Sequence, residues 1–331
     1  MVTLKDIALA AGVSTATASR ALNPNPVSGT YINKNTRAHV LKMAAKLGYS
    51  PNLSARTLSN GSSNTVGVVF GPNTGVIAGN DFGLHMLFGI QQAIAKFNYT
   101  SSLASGDNWN QVLDNVKLLV EGTKTKLFVL LYTMKNDPVS AYLRKKKIRY
   151  VITGEPEEWT DALYVDNDNR LAGYQAGEIL LDDLHARYPL AVTSRDHWKF
   201  EINRLAGFKA KMAKSGKKFC YLETSYDPQV SKQQLVDILE RNPAIDSIFA
   251  TDDRLAFIAK QQYDAKFSLP VPVVSFNNSE YAAIAGDHFY SFDVLPEQLG
   301  IQAVGLLFNH NGKGTNVAAG HVVIQAKKPK V

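Results

Sequence analysis

The sequence predicts two structural classes in one chain: a small all-α helix-turn-helix head and a larger α/β unit of two lobes built on parallel sheets. Three observations predict this. Residues 3 to 22 hold two short helical patterns separated by Ala11-Gly12-Val13. Beyond residue 64, β-rich apolar runs alternate with helical stretches. Between them, Ser59-Asn60-Gly61-Ser62-Ser63-Asn64 is a polar stretch of linker composition.

In the head, Leu4, Ile7, Ala8 and Ala11 recur at helical spacing, and the apolar positions resume at Val13, Ala18, Ala21 and Leu22. Two short helices around a tight glycine turn suit a helix-turn-helix, whose second helix can enter a DNA major groove. Thr3 and Asp6 form a capping arrangement at the first helix, and Ser14 stands directly before the second. Asn33 is placed to cap a third helix running to about Leu47, with Val40, Leu41, Ala44 and Leu47 facing inward. Capped helix starts aim free N–H groups outward, which suits phosphates, although stability alone also accounts for the caps. Residues 1–60 carry Lys5, Arg20, Lys34, Arg37, Lys42, Lys46 and Arg56 against Asp6 alone, so the head holds nearly all of the chain's net charge of +7. Such a basic segment is the footprint of a phosphate-binding module, with a solvated basic surface as the plain alternative.

In the larger unit the strand-like runs and helical stretches follow one another as Val66–Phe70, Leu84–Phe97, Thr100–Ala104, Val112–Val120, Leu127–Tyr132, Val139–Lys146 and Tyr150–Ile152. The alternation resumes with Leu171–Leu184, Leu190–Thr193, Leu205–Ser215, Phe219–Leu222, Leu235–Leu239, Ser247–Ala250, Leu255–Tyr263, Val271–Phe276 and Glu297–Phe308. Repeated βα units imply parallel sheets covered by helices on both faces, and the length of this unit exceeds what one such sheet needs. Ligands in open α/β folds bind at the carboxyl ends of the strands, so a cleft between two lobes would collect strand-end residues.

Composition sets outer bounds. The 331 residues leave room for two or three domains, and 45% hydrophobic content is ordinary for a globular chain. No apolar run approaches the roughly 20 residues that span a bilayer, so no membrane partner is expected. Lys5 and Asp6 stand where a secretory signal would have its apolar core, which points to a cytoplasmic location. The single cysteine, Cys220, leaves no internal disulfide framework and reads as an inert thiol.

The string LKDIA-x-x-AGVSTATASRALN, with TR-x-x-V and LGY-x-PN-x-x-AR-x-L after it, resembles the LacI/GalR family of bacterial transcription regulators. The resemblance is specific in the first 60 residues and continues in scattered form to about residue 308. It implies that Thr15, Ala16 and Arg20 face base edges while Thr17 and Ser19 touch phosphates, with Thr3, Ser14 and Asn33 beside them at the helix starts. Arg20 has the chemistry for bidentate contact with guanine, or else for a plain phosphate contact, whereas Ala16 offers only an apolar surface. Residues 51–58 resemble the family's hinge helix, opened by Pro51 and Asn52. Ala55 and Leu58 share one face, and Leu58 is the implied wedge at a minor-groove step. One departure stands out: Asn23–Asn33 reads NPNPVSGTYIN, about four residues longer than the family's usual loop and rich in turn formers. The implied domains are 1–50 for the DNA-binding head, 51–61 for hinge and linker, and 62–331 for effector binding and dimerisation. Within the last, the first lobe takes about 62–165 with 294–323, and the second 166–293 with 324–331.

The resemblance also implies a periplasmic-binding-protein-like fold with a sugar or similar effector in the cleft. Tyr164, Asp166, Asn167 and Asp168 precede a helix, which Asp166 or Asp168 could simply cap, Asp168 being the better suited. Arg204 matches the family's effector-binding arginine, with a surface ion pair as the alternative. Asp252, where the family often has Asn, and Asp253, which matches its usual Asp, follow a strand and suit cleft or capping roles equally. Asn277 stands where relatives usually carry Asp. Such amides and carboxylates, with an aromatic such as Phe276 or Tyr226, suit a polyhydroxyl ligand. The first-lobe wall is expected near Asn73, Phe82 and Trp109.

A glycosidase-like role for Asp166, Asp252 and Asp253 is the catalytic alternative. The sequence contains no P-loop, HExxH, GxSxG or paired Cys/His zinc spacing, and its histidines are scattered. The expectation is therefore a regulator and not an enzyme, needing no cofactor or metal. It would act as a homodimer on pseudopalindromic operator DNA, most simply as a repressor of a carbohydrate-utilisation operon released by a small carbohydrate. Dependence on a small-molecule or protein corepressor is the alternative, and a sugar-binding transport protein a remote one. The phrases YVDNDN, SFNNS and SFDVLPEQLG are most similar to maltose- or oligosaccharide-type regulators. No leucine heptads follow the last lobe, so a dimer is expected, its surface by resemblance including the helix around Phe82–Phe97.

Overall fold

The computed structural model describes residues 2–22, 32–49, 63–72, 81–131, 135–156, 161–309 and 321–331. The chain divides into two compact units, Met1–Ser63 and Asn64–Val331.

In the first unit, α1 (Leu4–Ala10), α2 (Thr15–Ala21) and α3 (Lys34–Lys46) close around Ile7, Ala8, Ala11, Ala18, Ala21, Val40 and Ala44. Small alanines at the crossing of α1 and α2 let the two short helices approach closely. Gly12, at φ +64°, supplies the left-handed turn between them. The Thr3–Asp6 capping box is complete: the Asp6 N–H donates to Thr3 Oγ1 at 3.4 Å and the Thr3 N–H to Asp6 Oδ2 at 2.8 Å. One expectation for α3 is corrected. Leu41 and Leu47 do not face inward but are 46% and 40% exposed. Leu41 lies about 100° around the helix from Val40, and Leu47 is the C-cap residue beyond the last turn, while Met43 and Tyr49 pack against the cluster.

In the second unit, β1 (Thr65–Phe70), β2 (Thr100–Ala104), β3 (Leu127–Leu131), β4 (Arg149–Thr153), β5 (Leu163–Asn167) and β11 (His321–Ile324) form one sheet. Its order is β11-β5-β4-β3-β1-β2, with every pairing parallel. A second parallel sheet contains β6 (Pro189–Ser194), β7 (Cys220–Thr224), β8 (Ser247–Ala250), β9 (Val273–Phe276) and β10 (Phe289–Phe292), ordered β10-β9-β8-β6-β7.

Alternating residues of each strand feed opposite faces. Val66, Val68, Val129 and Val151 pack under α4 (Phe82–Ala95) and α12 (Pro296–Asn309), while Val69, Phe128, Leu130 and Ile152 pack under α5 (Trp109–Lys117) and α6 (Pro138–Lys145). In the second sheet, Ala191, Phe249 and Val274 face α7 (Asn169–Glu178) and α8 (Lys199–Lys214). Leu190, Val192, Ile248 and Val273 face α9 (Pro228–Arg241) and α10 (Asp253–Phe267). The short α11 (Glu280–Ile284), β10 and β11 lie outside the runs that the alternation pattern marks.

Paired glycines knit one helix pair in each lobe. A Cβ on Gly89 of α4 would meet the backbone of Glu297, and one on Gly300 of α12 the carbonyl of Met86. Likewise a Cβ on Gly173 of α7 would meet the backbone of Arg204, and one on Gly207 of α8 the carbonyl of Arg170.

The chain passes between the sheets after β5, after β10 and after β11, and Asp293 and Lys327 form an antiparallel bridge beside the last two passages. One side chain touches all three. Asn167 Nδ2, at the end of β5, donates to Val294 O at 3.1 Å and to Ile324 O at 3.2 Å.

Candidate functional site

The head presents one polar face. On α2, Thr15, Ala16, Ser19 and Arg20 are exposed, and Ala18 and Ala21 are buried on the opposite side. The Ser14 hydroxyl caps α2 by accepting the Thr17 N–H at 3.1 Å, and the Ser14 and Thr17 hydroxyls are 2.9 Å apart. Asn33 caps α3 by accepting the Asn35 N–H at 2.9 Å. Ser14 and Asn33 therefore fix helix starts whose remaining N–H groups are available to an anion. Asn52, Ala55 and Leu58 of the expected hinge helix, Asn73, and residues 23–31 of the long loop lie outside the described residues.

The second unit has a cleft at the carboxyl ends of both sheets, with about 770 Å³ of space counting its open mouth. The first lobe contributes Phe82, Met86 and Leu299 as an apolar wall, with Thr153, Gly154 and Glu155 after β4. Asp166, Asn167 and Asn169 come from the β5–α7 passage, Trp198, Lys199, Phe200 and Arg204 from the start of α8, and Asp252 and Asn277 from the ends of β8 and β9.

Arg204 is the centre of this cleft. It is 3% exposed, and its Nε donates to Asn169 Oδ1 at 2.9 Å and its Nη1 to Thr251 O at 2.8 Å. The guanidinium is sandwiched between rings, 4.8 Å from the Phe200 centroid and 4.5 Å from that of Phe276. Its Nη2 donates to no described residue and is the donor left for a ligand.

Two carboxylates face the same space. Asp166 accepts the Glu155 N–H at 2.9 Å, the Asn167 N–H at 2.7 Å and Asn169 Nδ2 at 3.0 Å. Burial pushes its pKa up to about 6 against those bonds and the Arg204 charge. Asp252 caps α10 through the Arg254 N–H at 2.8 Å and accepts Asn277 Nδ2 at 2.6 Å. Burial, with the Asp253 charge beside it, raises Asp252 to about 7. Near neutrality Asp252 can thus offer a ligand either an acceptor or a hydroxyl donor. Beneath the cleft, fully buried Glu201 accepts from Ser194 Oγ at 2.6 Å, Tyr226 Oη at 3.0 Å and Thr251 Oγ1 at 3.2 Å.

Of the residues singled out in the sequence, the cleft brings together Phe82, Asp166, Arg204, Asp252 and Asn277. Six others lie elsewhere. Tyr164 is two positions back along β5 and packs on the first-sheet core, as does Trp109 at the start of α5. Tyr226 is held by Glu201. Asp253 is pinned by Ser275, Ser279 and Ser291, a purely internal cluster. Phe276 lies behind Arg204 and stacks on Phe292 at 5.1 Å. Asp168 caps α7 through the Leu171 N–H at 2.9 Å. The rings that do reach the cleft, Trp198 and Phe200, were not singled out, nor were Glu155, Asn169 and Lys199. Trp198, Lys199 and Phe200 precede or open α8, beyond the end of β6, whereas Glu155 and Asn169 follow β4 and β5.

A helix-turn-helix head and a separate two-sheet unit, with a polar cleft at its strand ends, are the parts of a ligand-responsive DNA-binding protein. Comparison with known proteins gives the family. Residues 3–52 match "Bacterial regulatory proteins, lacI family", and residues 77–267, more than half of the chain, match "Periplasmic binding protein domain". Over its larger part the chain belongs to the periplasmic-binding-protein domain family, and its head is a lacI-family helix-turn-helix domain. It is 28% identical over 320 residues to the HTH-type transcriptional regulator MalR of Staphylococcus xylosus, covering 94% of this chain and 93% of the relative. Two solved structures share the fold. A complex of the transcriptional regulator CelR with cellobiose has a TM-score of 0.70 at 23% identity, covering 98% of each chain. The lac repressor dimer bound to operator and the anti-inducer ONPF has a TM-score of 0.81 at 18% identity, covering 99% of this chain and 98% of that one. Among the described residues, no helix is long and apolar enough to cross a membrane.

Proposed function

We propose that the chain represses a carbohydrate-utilisation operon, binding a pseudopalindromic operator as a homodimer and releasing it when a small sugar enters the cleft. The observation that carries this is the cleft itself. Arg204 keeps an uncommitted donor, Asp166, Asp252 and Asn277 offer acceptors and donors, and Trp198 and Phe200 supply rings that can pack on a sugar face. Thr15, Ala16 and Arg20 are assigned to base edges and Thr17 and Ser19 to phosphates, with Thr3, Ser14 and Asn33 ordering the helix starts. Asn52, Ala55 and Leu58 are assigned to the minor groove. The protein would work in the cytoplasm, where operator and sugar meet.

Coupling follows from linkage. A sugar that prefers one arrangement of the lobes weakens operator binding if that arrangement cannot hold two heads on one duplex, and operator must weaken sugar binding by the same factor. Gel shift on the promoter upstream of its own gene, with maltose, maltotriose and cellobiose in separate lanes, tests the reading. A specific shift released by one of them is expected. A shift that needs the sugar would make it a corepressor, and no specific shift at all would refute the reading. Arg20→Ala should lose ~1–3 kcal/mol of preference for the operator over random DNA. Equal loss on both DNAs would reassign Arg20 to the phosphates.

A further inference from the structure

Glu155 follows β4 of the first sheet, whereas Asn203 and Lys199 lie on α8, which packs on the second. Asn203 Nδ2 donates across the cleft to Glu155 Oε2 at 2.7 Å, and Lys199 Nζ stands 4.0 Å from the same oxygen. The Glu155 main chain is held separately, its N–H donating to Asp166 Oδ2 at 2.9 Å. Its side chain can therefore make or break the cross-cleft contact without moving β4. Beside it, away from the chain passages, a second bridge is apolar: Phe82 of α4 packs against the buried clusters of both sheets. An apolar contact tolerates sliding, but a carboxylate–amide bond does not. The Glu155 contact thus fixes the distance from β4 to the first turns of α8, the segment that carries Trp198, Phe200 and Arg204. Glu155 and Lys199 are partly exposed at the cleft, and neither lobe needs their contact for its own core.

We propose that Glu155, Asn203 and Lys199 form a polar latch across the cleft that holds the two lobes together, and that its making and breaking sets effector-free operator affinity. The latch stands on these contacts alone, and its consequence at the operator rests on the function proposed above. The test uses the full chain and needs no effector. Hydrogen exchange of residues 195–203 and 149–156 is compared in wild type, Glu155→Ala, Asn203→Ala and the double variant. Each single change should speed exchange in 195–203 several-fold, the double variant no more than the larger single one, and the melting temperature should stay near wild type. Glu155→Gln, which keeps an acceptor for Asn203 but loses the attraction to Lys199, should fall between. Unchanged exchange, or additive effects in the double variant, would overturn the latch. Operator affinity is then measured on the same proteins, and all open variants should shift it together. Loosened lobes with unchanged operator affinity would overturn the coupling and leave the latch standing.

Discussion

Asp252 shows what a single residue in this cleft does. Its side chain has one oxygen on the Arg254 N–H and the other on Asn277, yet burial and Asp253 still hold its pKa at about 7. The sign of the consequence is fixed. A carboxyl whose folded pKa lies above its unfolded value stabilises the fold fully below about pH 4, and that contribution is lost as pH rises through about 7. Asp166, raised to about 6, adds in the same direction. Stability of the larger unit should therefore fall between about pH 4 and 7, and Asp252→Asn should flatten the fall by an amount on the order of 4 kcal/mol at most. Urea melts of both proteins across that range check it, and parallel pH profiles would remove Asp252 as the source. Asp252 could be picked out in the sequence because ATDD ends a strand and opens a helix. That arrangement left its role as cap or cleft residue open, and the folded chain gives it both. Trp198 and Phe200 could not be picked out, because a ring at a helix start is indistinguishable in sequence from one that packs in the core.

At the scale of elements, the position of Arg204 depends on how closely α7 and α8 approach. The apolar period showed that both helices exist, but not that Gly173 sits against the Arg204 backbone or Gly207 against Arg170. Close approach is a property of two segments together, so neither glycine announces it alone. Gly173→Ala puts a methyl where the Arg204 carbonyl lies and must push α8 outward, at a cost of ~1–3 kcal/mol for overpacking. The displaced segment carries Phe200, Lys199 and Asn203 as well, so sugar affinity should fall, and specific binding to the effector-free operator should persist at the affinity of the latch variants. Gly305→Ala on α12 is the control, since nothing lies within 4 Å of its new methyl, and it should leave both unchanged. Calorimetric titration with the sugar from the gel-shift panel, beside thermal melts, separates the two outcomes. Equal sugar affinity in Gly173→Ala would mean that the helix contact does not position Arg204. The short β10 and β11 escaped the sequence for a related reason: each is defined by the neighbour it pairs with, Val273–Phe276 or β5.

At the scale of the whole molecule, one small head offers few groups with which to read DNA. On the function proposed above, its basic side chains and the four exposed residues of α2 would cover a single half-site, so useful affinity would require two heads held at a fixed separation. The larger unit offers a surface for that. Leu84 and Phe88, one turn apart on α4, are 50% and 53% exposed, and Leu103 on the edge strand β2 is 57% exposed. A side-chain contact from Gln91 to Ser101 joins α4 to β2, so the apolar positions belong to one continuous face. Water-facing Leu and Phe at helical spacing gain nothing in a monomer and gain burial against a second copy. Leu84→Asp combined with Phe88→Asp should give a monomer in sedimentation velocity, with a melting temperature near wild type at matched dilute concentration, because neither side chain is in the core. Operator affinity should fall by about 10²–10⁴, the range by which linking two binding modules exceeds one. Sugar affinity should survive, since the cleft is built within one chain. A variant that remains dimeric would move the interface to another face. A monomer that keeps full operator affinity would show that one head suffices, and the lobes would then have to act on that head alone.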